Sequence, residues 1–183
     1  MSKQSPDQTA DPKPSSAARE TTSPCRVALV GFGTVGRSVA KILHERTDGV
    51  LRLTHIYNRN VARKKQPWIP NDVIWTEDFD AILKSDVDIV IELIGGLTPA
   101  EEFVRSALQA GKSVVTANKQ LIARHGLELL QLASANGCQL KFGASVAGGV
   151  PVLPALRTGL SGDRLHGIAG ILNGTCNYIL SRL

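Results

Sequence analysis

From Arg26 onward, short apolar runs alternate with longer segments whose apolar residues recur every three to four positions. Residues 26–30 predict a first strand. Residues 35–46 predict a helix with Val35, Val39, Ile42 and Leu43 on one face. Residues 51–57 set Leu51 and Leu53 against Arg52 and Thr54, the alternation of a second strand. Residues 60–70 are basic and hold two prolines, so a loop is expected, followed by a short helix at 77–84. A buried strand at 88–94 ends at Gly95-Gly96. The next helix, at 99–110, is expected to start from Thr98 as its cap, with Pro99, Glu101 and Glu102 in its first turn. A strand at 112–116, a helix at 121–136 stopped by Gly137 and a strand at 139–142 complete the series. Strands alternating with helices predict an α/β fold, a parallel sheet covered on both faces.

Two segments depart from this alternation. Residues 1–24 are rich in Ser, Thr, Pro, Asp and Lys without an apolar period, and a disordered tail is expected there. After Phe142 comes a glycine-rich crossing, Gly143 to Pro151. A predicted helix at 152–159, a strand at 165–172 and a helix from Asn173 follow, the last still running at Leu183. The expected organisation is a tail at 1–24, an α/β domain at 25–149, and at 150–183 the start of a second domain that is cut short.

Composition narrows the class. With 43% hydrophobic and 20% charged residues the chain is an ordinary globular one, and no apolar run approaches the roughly 20 residues that span a bilayer. Cys25, Cys138 and Cys176 form no C-x-x-C pair, and no secretion signal precedes them, so reduced thiols and a cytoplasmic location are expected. The formal charge of +5 is scattered and aromatics are only 4%, which argues against nucleic acid as a partner. His44, His55, His125 and His166 have no metal-like spacing, and no Ser/His/Asp set supports hydrolase chemistry.

The first strand runs into Gly31-Phe32-Gly33-Thr34-Val35-Gly36, a G-x-G-x-x-G turn that opens the first helix. In this context Gly31 permits the turn, Gly33 admits a pyrophosphate close to the backbone, and Gly36 lets the helix pack on the sheet. A diphosphate is expected on the free amides and positive dipole of that helix start. The fold class is thus a Rossmann-type doubly wound parallel sheet that binds a dinucleotide. A carboxylate usually holds the adenosine ribose in NAD-binding versions, yet no Asp or Glu occurs between Gly49 and Asn71. Arg59, Arg63, Lys64 and Lys65 stand there instead, and an arginine suits a 2′-phosphate, so NADP(H) is favoured over NAD(H) with Arg59 as its ligand.

Three further segments are Ile91-Glu-Leu-Ile-Gly-Gly96, Val115-Thr-Ala-Asn-Lys119 and Ile171-Leu-Asn-Gly-Thr-Cys-Asn-Tyr-Ile179. With Ala147-Gly-Gly-Val-Pro151 between the last two, the chain from about Arg26 to Leu183 closely resembles the N-terminal part of homoserine dehydrogenase. The resemblance implies interconversion of L-homoserine and L-aspartate 4-semialdehyde with NAD(P)(H), on the route to threonine, methionine and isoleucine. It implies cofactor contacts from Gly31 to Gly36, including the backbone of Phe32, Thr34 and Val35, and room for the nicotinamide ribose at Gly95 and Gly96. It also implies that Lys119 lies beside nicotinamide and substrate as a catalytic cation, and that Gly174 and Thr175 line the substrate pocket.

The family's monovalent-cation site maps onto the backbone of Val146, Gly148 and Val150. The expected glutamate is replaced by Gly143, which argues against a bound cation. Family members continue into an α+β catalytic and dimerisation domain with a second essential lysine, so the resemblance implies that this chain is a fragment of a homo-oligomeric enzyme. The alternative reading is a catalytically silent NADP-binding module.

Overall fold

The computed structural model describes residues 23–169 and 181. Residues 1–22 of the expected tail at 1–24 and the pocket residues Gly174 and Thr175 lie outside the described residues, as does all of the expected last helix but Ser181.

Among the described residues six parallel strands form one sheet: β1 (Cys25–Val30), β2 (Leu51–Tyr57), β3 (Ile74–Thr76), β4 (Ile89–Glu92), β5 (Ser113–Thr116) and β6 (Leu140–Lys141). Their order is β3-β2-β1-β4-β5-β6, so the chain leaves the edge strand β3 and re-enters on the far side of β1. Strand order therefore reverses between β1 and β4, the place where open α/β sheets bind ligands. The register pairs Val30 with Tyr57 and Glu92, and Glu92 with Thr116. The segments leaving these four strands consequently share one edge.

β1 is buried on both faces, which is why it reads as a continuous apolar run. Val27 and Leu29 pack with Phe32, Ala40, Leu43 and Ile56 beneath α1 (Thr34–Glu45). Ala28 and Val30 pack on the other side with Val104, Leu108, Leu121 and Leu129 from α3 (Ala100–Gln109) and α4 (Lys119–Ala135). Each fully buried aliphatic side chain of this kind contributes roughly 1.5–3 kcal/mol. Phe79 of α2 (Phe79–Lys84) stacks on Phe103 and meets Tyr57 edge-on, closing the same layer.

Several expectations are corrected. α1 buries Gly36, Ala40 and Leu43, whereas Val35 and Ile42 are 55% and 58% exposed. The small residues face the sheet because the helix approaches it closely at the glycine turn. Thr98 does not cap α3: the cap position is Pro99, and backbone bonds from Glu101 N to Leu97 O (2.8 Å) and from Phe103 N to Pro99 O (3.1 Å) close the first turn. α4 starts two residues earlier than its apolar period, because the Asn118 side chain caps it. The expected helix at 152–159 is one short turn, α5 (Val152–Pro154), leading into a π-helical turn over Ala155–Gly159. Residues 165–169 form no strand, and the rest of that expected strand lies outside the described residues. β3 was not anticipated. Among the described residues no helix is long and apolar enough to cross a membrane.

One core side chain makes the fold sensitive to acid. His55 on β2 is buried, with its Nδ1 3.0 Å from Thr54 Oγ1. Burial lowers its pKa below 6.5; nearby Asp86 opposes the shift and Lys112 adds to it. The unfolded chain therefore binds more protons than the folded one below about pH 6.5, so stability falls as pH drops through that value. His55→Gln is expected to flatten the decline in melting temperature between pH 7 and pH 5.5. An unchanged slope would assign the decline to other groups.

Candidate functional site

The glycine turn at the end of β1 is fixed by sterics. Gly31 has φ +107°, and a Cβ there would lie 2.9 Å from the carbonyl carbon of Leu93 and 3.1 Å from the Ile94 nitrogen. At Gly36 a Cβ would lie 2.2 Å from the Gly31 oxygen. At Gly33 a Cβ would meet nothing within 4 Å, and the backbone is ordinary, with φ −83°. Two glycines are therefore demanded by the fold, and the third leaves a surface open above the turn.

The first helical bond of α1 runs from Arg37 N to Gly33 O at 3.0 Å, so the amides of Thr34, Val35 and Gly36 have no intrahelical acceptor. No side chain caps this end and no acidic residue lies in its first turn. Open space, free amides and the helix dipole make this edge fit a diphosphate. The Phe32 side chain points away from it, buried and edge-on to Trp75 with ring centroids 4.9 Å apart.

Across the reversal point, Gly95 and Gly96 both have φ +73°, with open space where their side chains would be. Glu92, completely buried, holds this turn: its Oε1 accepts from Ile94 N (2.8 Å) and Gly95 N (3.2 Å), and its Oε2 accepts from Thr116 Oγ1 (2.5 Å). Thr116 Oγ1 in turn accepts from Asn118 N at 3.0 Å. The Asn118 side chain donates to Gly96 O and caps α4 by accepting from Leu121 N at 3.1 Å. Lys119 is the first residue of α4 and is exposed on this edge. Glu92, Thr116 and Asn118 were not among the residues expected from sequence. The readable signal was a lone carboxylate inside the apolar run of residues 89–94.

At the end of β2 the turn is shaped by asparagines. Asn58 Oδ1 accepts from Asn60 N, and Asn60 Oδ1 from Arg63 N, each at 3.1 Å. Glu77 pins the loop from β3 by accepting from Val61 N at 2.7 Å. Arg59 and Arg63 are exposed on this loop. Burial raises the Tyr57 hydroxyl pKa, and Arg59 pulls it back while Glu77 and Asp78 push it further up, so all three charges gather around that ring.

The segment mapped to a cation site fits poorly. Gly143 opens a short turn that Ser145 ties to Thr116 O at 2.8 Å, and the Val150 carbonyl already accepts from Val152 N at 2.8 Å. Val146 and Gly148 contribute no side-chain oxygen, and among the described residues no group of three His, Cys, Asp or Glu could hold a metal. No step is assigned to a cation.

A 3-2-1-4-5-6 parallel sheet with a G-x-G-x-x-G turn at its reversal point defines a Rossmann-type nucleotide-cofactor-binding domain. The family model described as homoserine dehydrogenase, NAD binding domain, matches residues 31–143, and a second, homoserine dehydrogenase, matches residues 151–183. This chain belongs to the homoserine dehydrogenase family. It is 42% identical over 165 residues to the homoserine dehydrogenase of Bacillus subtilis, covering 86% of this chain and 38% of that protein. It is 43% identical over 165 residues to that of Corynebacterium glutamicum, covering 86% of this chain and 37% of that protein. Its fold matches the crystal structure of a Thiobacillus denitrificans homoserine dehydrogenase with TM-score 0.77 and 39% identity, over 87% of this chain and 38% of that one. A hyperthermophilic archaeal homoserine dehydrogenase in complex with NADPH matches with TM-score 0.60 and 26% identity, over 73% of this chain and 48% of that one. The chain thus spans less than two-fifths of the length of these two curated relatives.

Proposed function

We propose that this chain binds NADP(H) and acts in the interconversion of L-homoserine and L-aspartate 4-semialdehyde, within threonine, methionine and isoleucine biosynthesis. The carrying observation is the sterically enforced glycine turn at the reversal point of the sheet, in a chain of this family. The amides of Thr34 to Gly36 hold the diphosphate, with Gly31, Phe32 and Gly33 forming the turn below it. Arg59 takes the 2′-phosphate, and Gly95 and Gly96 leave room for the nicotinamide ribose. The bound cofactor supplies hydride to the aldehyde carbon. Lys119 draws negative charge onto the aldehyde oxygen and assists its protonation, which completes the alcohol. The family resemblance assigns Gly174 and Thr175 to the substrate.

The test is titration of the chain with NADPH and NADH, followed by assay of NADPH oxidation with aspartate semialdehyde. Binding of neither nucleotide would overturn the reading. Arg59→Ala is expected to weaken NADPH binding about tenfold through loss of a charge-assisted contact, and NADH binding by less than about twofold. Equal losses for both would remove Arg59 from the 2′-phosphate site.

A further inference from the structure

We propose that Glu92 is a positioning residue that fastens the two loops flanking the nicotinamide half of the site into one rigid unit. The proposal rests on the dinucleotide reading above. In a doubly wound sheet each half serves one mononucleotide, and the β2 end is the adenosine side, so the β4–β5 edge is the nicotinamide side. On that edge the hydrogen bonds form a closed ring. Glu92 grips the Ile94–Gly95 amides with one oxygen and Thr116 with the other. Thr116 receives Asn118 N, and Asn118 returns to Gly96 O. The β4–β5 register, which sets Glu92 opposite Thr116, makes the ring reachable.

The ring uses Glu92 as an acceptor at both of its oxygens. Because Asn118 N–H donates to Thr116 Oγ1, the threonine hydroxyl directs its own proton to Glu92 Oε2. A glutamine of the same size would either set its NH₂ group against the two turn amides or, turned the other way, donate to Thr116 Oγ1 and leave that hydroxyl's proton without its acceptor. An apolar side chain would fill the volume without the desolvation cost of a buried carboxylate. It would leave Gly95 and Gly96, adjacent residues both in the left-handed region, and the start of α4 at Lys119 to move independently.

The experiment compares wild type, Glu92→Gln and Asn118→Ser by calorimetric titration with NADPH and with adenosine 2′,5′-bisphosphate, which lacks the nicotinamide half. Serine retains a good helix cap, so Asn118→Ser cuts only the link to Gly96 and keeps the test intact if Glu92→Gln fails to fold. Both variants are expected to bind NADPH about fivefold or more weakly, the effect of about one hydrogen bond or more, with bisphosphate affinity changed by less than about twofold. Parallel loss of both ligands marks a general structural role and overturns the proposal, as does no loss of either. Wild-type chain that binds neither ligand overturns the dinucleotide reading and this inference with it.

Discussion

Gly36→Ala is expected to cost about 3 kcal/mol or more, while Gly33→Ala leaves stability within about 1 kcal/mol. The new methyl at 36 would stand 2.2 Å from a backbone oxygen in the turn, and a carbonyl cannot rotate aside as a side chain can. α1 would have to lift off β1 and open the contacts of Ala40 and Leu43 with Val27 and Leu29. For a chain of this length such a loss lowers the melting temperature by about 10 °C. At Gly33 the methyl enters open space from an unstrained backbone. Its weaker helix capping is partly offset by lower entropy of the unfolded chain. That methyl would occupy the surface the diphosphate must approach, so NADPH affinity is expected to fall about tenfold or more. Thermal melting and NADPH titration of the two variants separate the roles. A stable Gly33→Ala that binds NADPH normally would remove the diphosphate from the turn.

Much of the sheet was legible because its strands are long or uniformly apolar. Residues 26–30 and 88–94 announce themselves as nearly continuous apolar runs, and 51–57 by alternation. β3 was missed because Ile74, Trp75 and Thr76 are too few to display a period, and the strand exists through pairing with His55, Ile56 and Tyr57. The buried face of α1 was misjudged for a related reason. Periodicity weighs large side chains, whereas the distance between helix and sheet is set by the Gly31–Gly36 contact, which admits Ala40 and leaves Val35 and Ile42 outside. At the site, the glycine turn and Lys119 were visible as motifs. The ring through Glu92, Thr116 and Asn118 was not, since Glu92 and Thr116 are 24 residues apart and meet only through strand register.

Lys119→Met is expected to leave the fold as stable as wild type or slightly more so, while slowing aldehyde reduction about a hundredfold or more. The stability half follows from position. Lys119 opens a 17-residue helix with no acidic residue in its first turn, so its charge faces the positive end of the dipole. A cation there costs about 0.3–1 kcal/mol. Lys119 is exposed, and none of the ion pairs among the described residues recovers that cost. Asn118 caps the helix independently and is untouched by the substitution. A residue that opposes its own helix yet stands on the same sheet edge as Gly95 and Gly96 fits the catalytic role proposed above. The activity half follows from charge. Hydride arriving at a carbonyl carbon leaves negative charge on oxygen, and losing one positioned cation or proton donor costs about two to three orders of magnitude in turnover. Because methionine matches the length of the lysine stem, NADPH affinity is expected to stay within about threefold. Turnover and affinity falling together would make Lys119 a cofactor ligand only; a clear drop in melting temperature would instead return it to the fold.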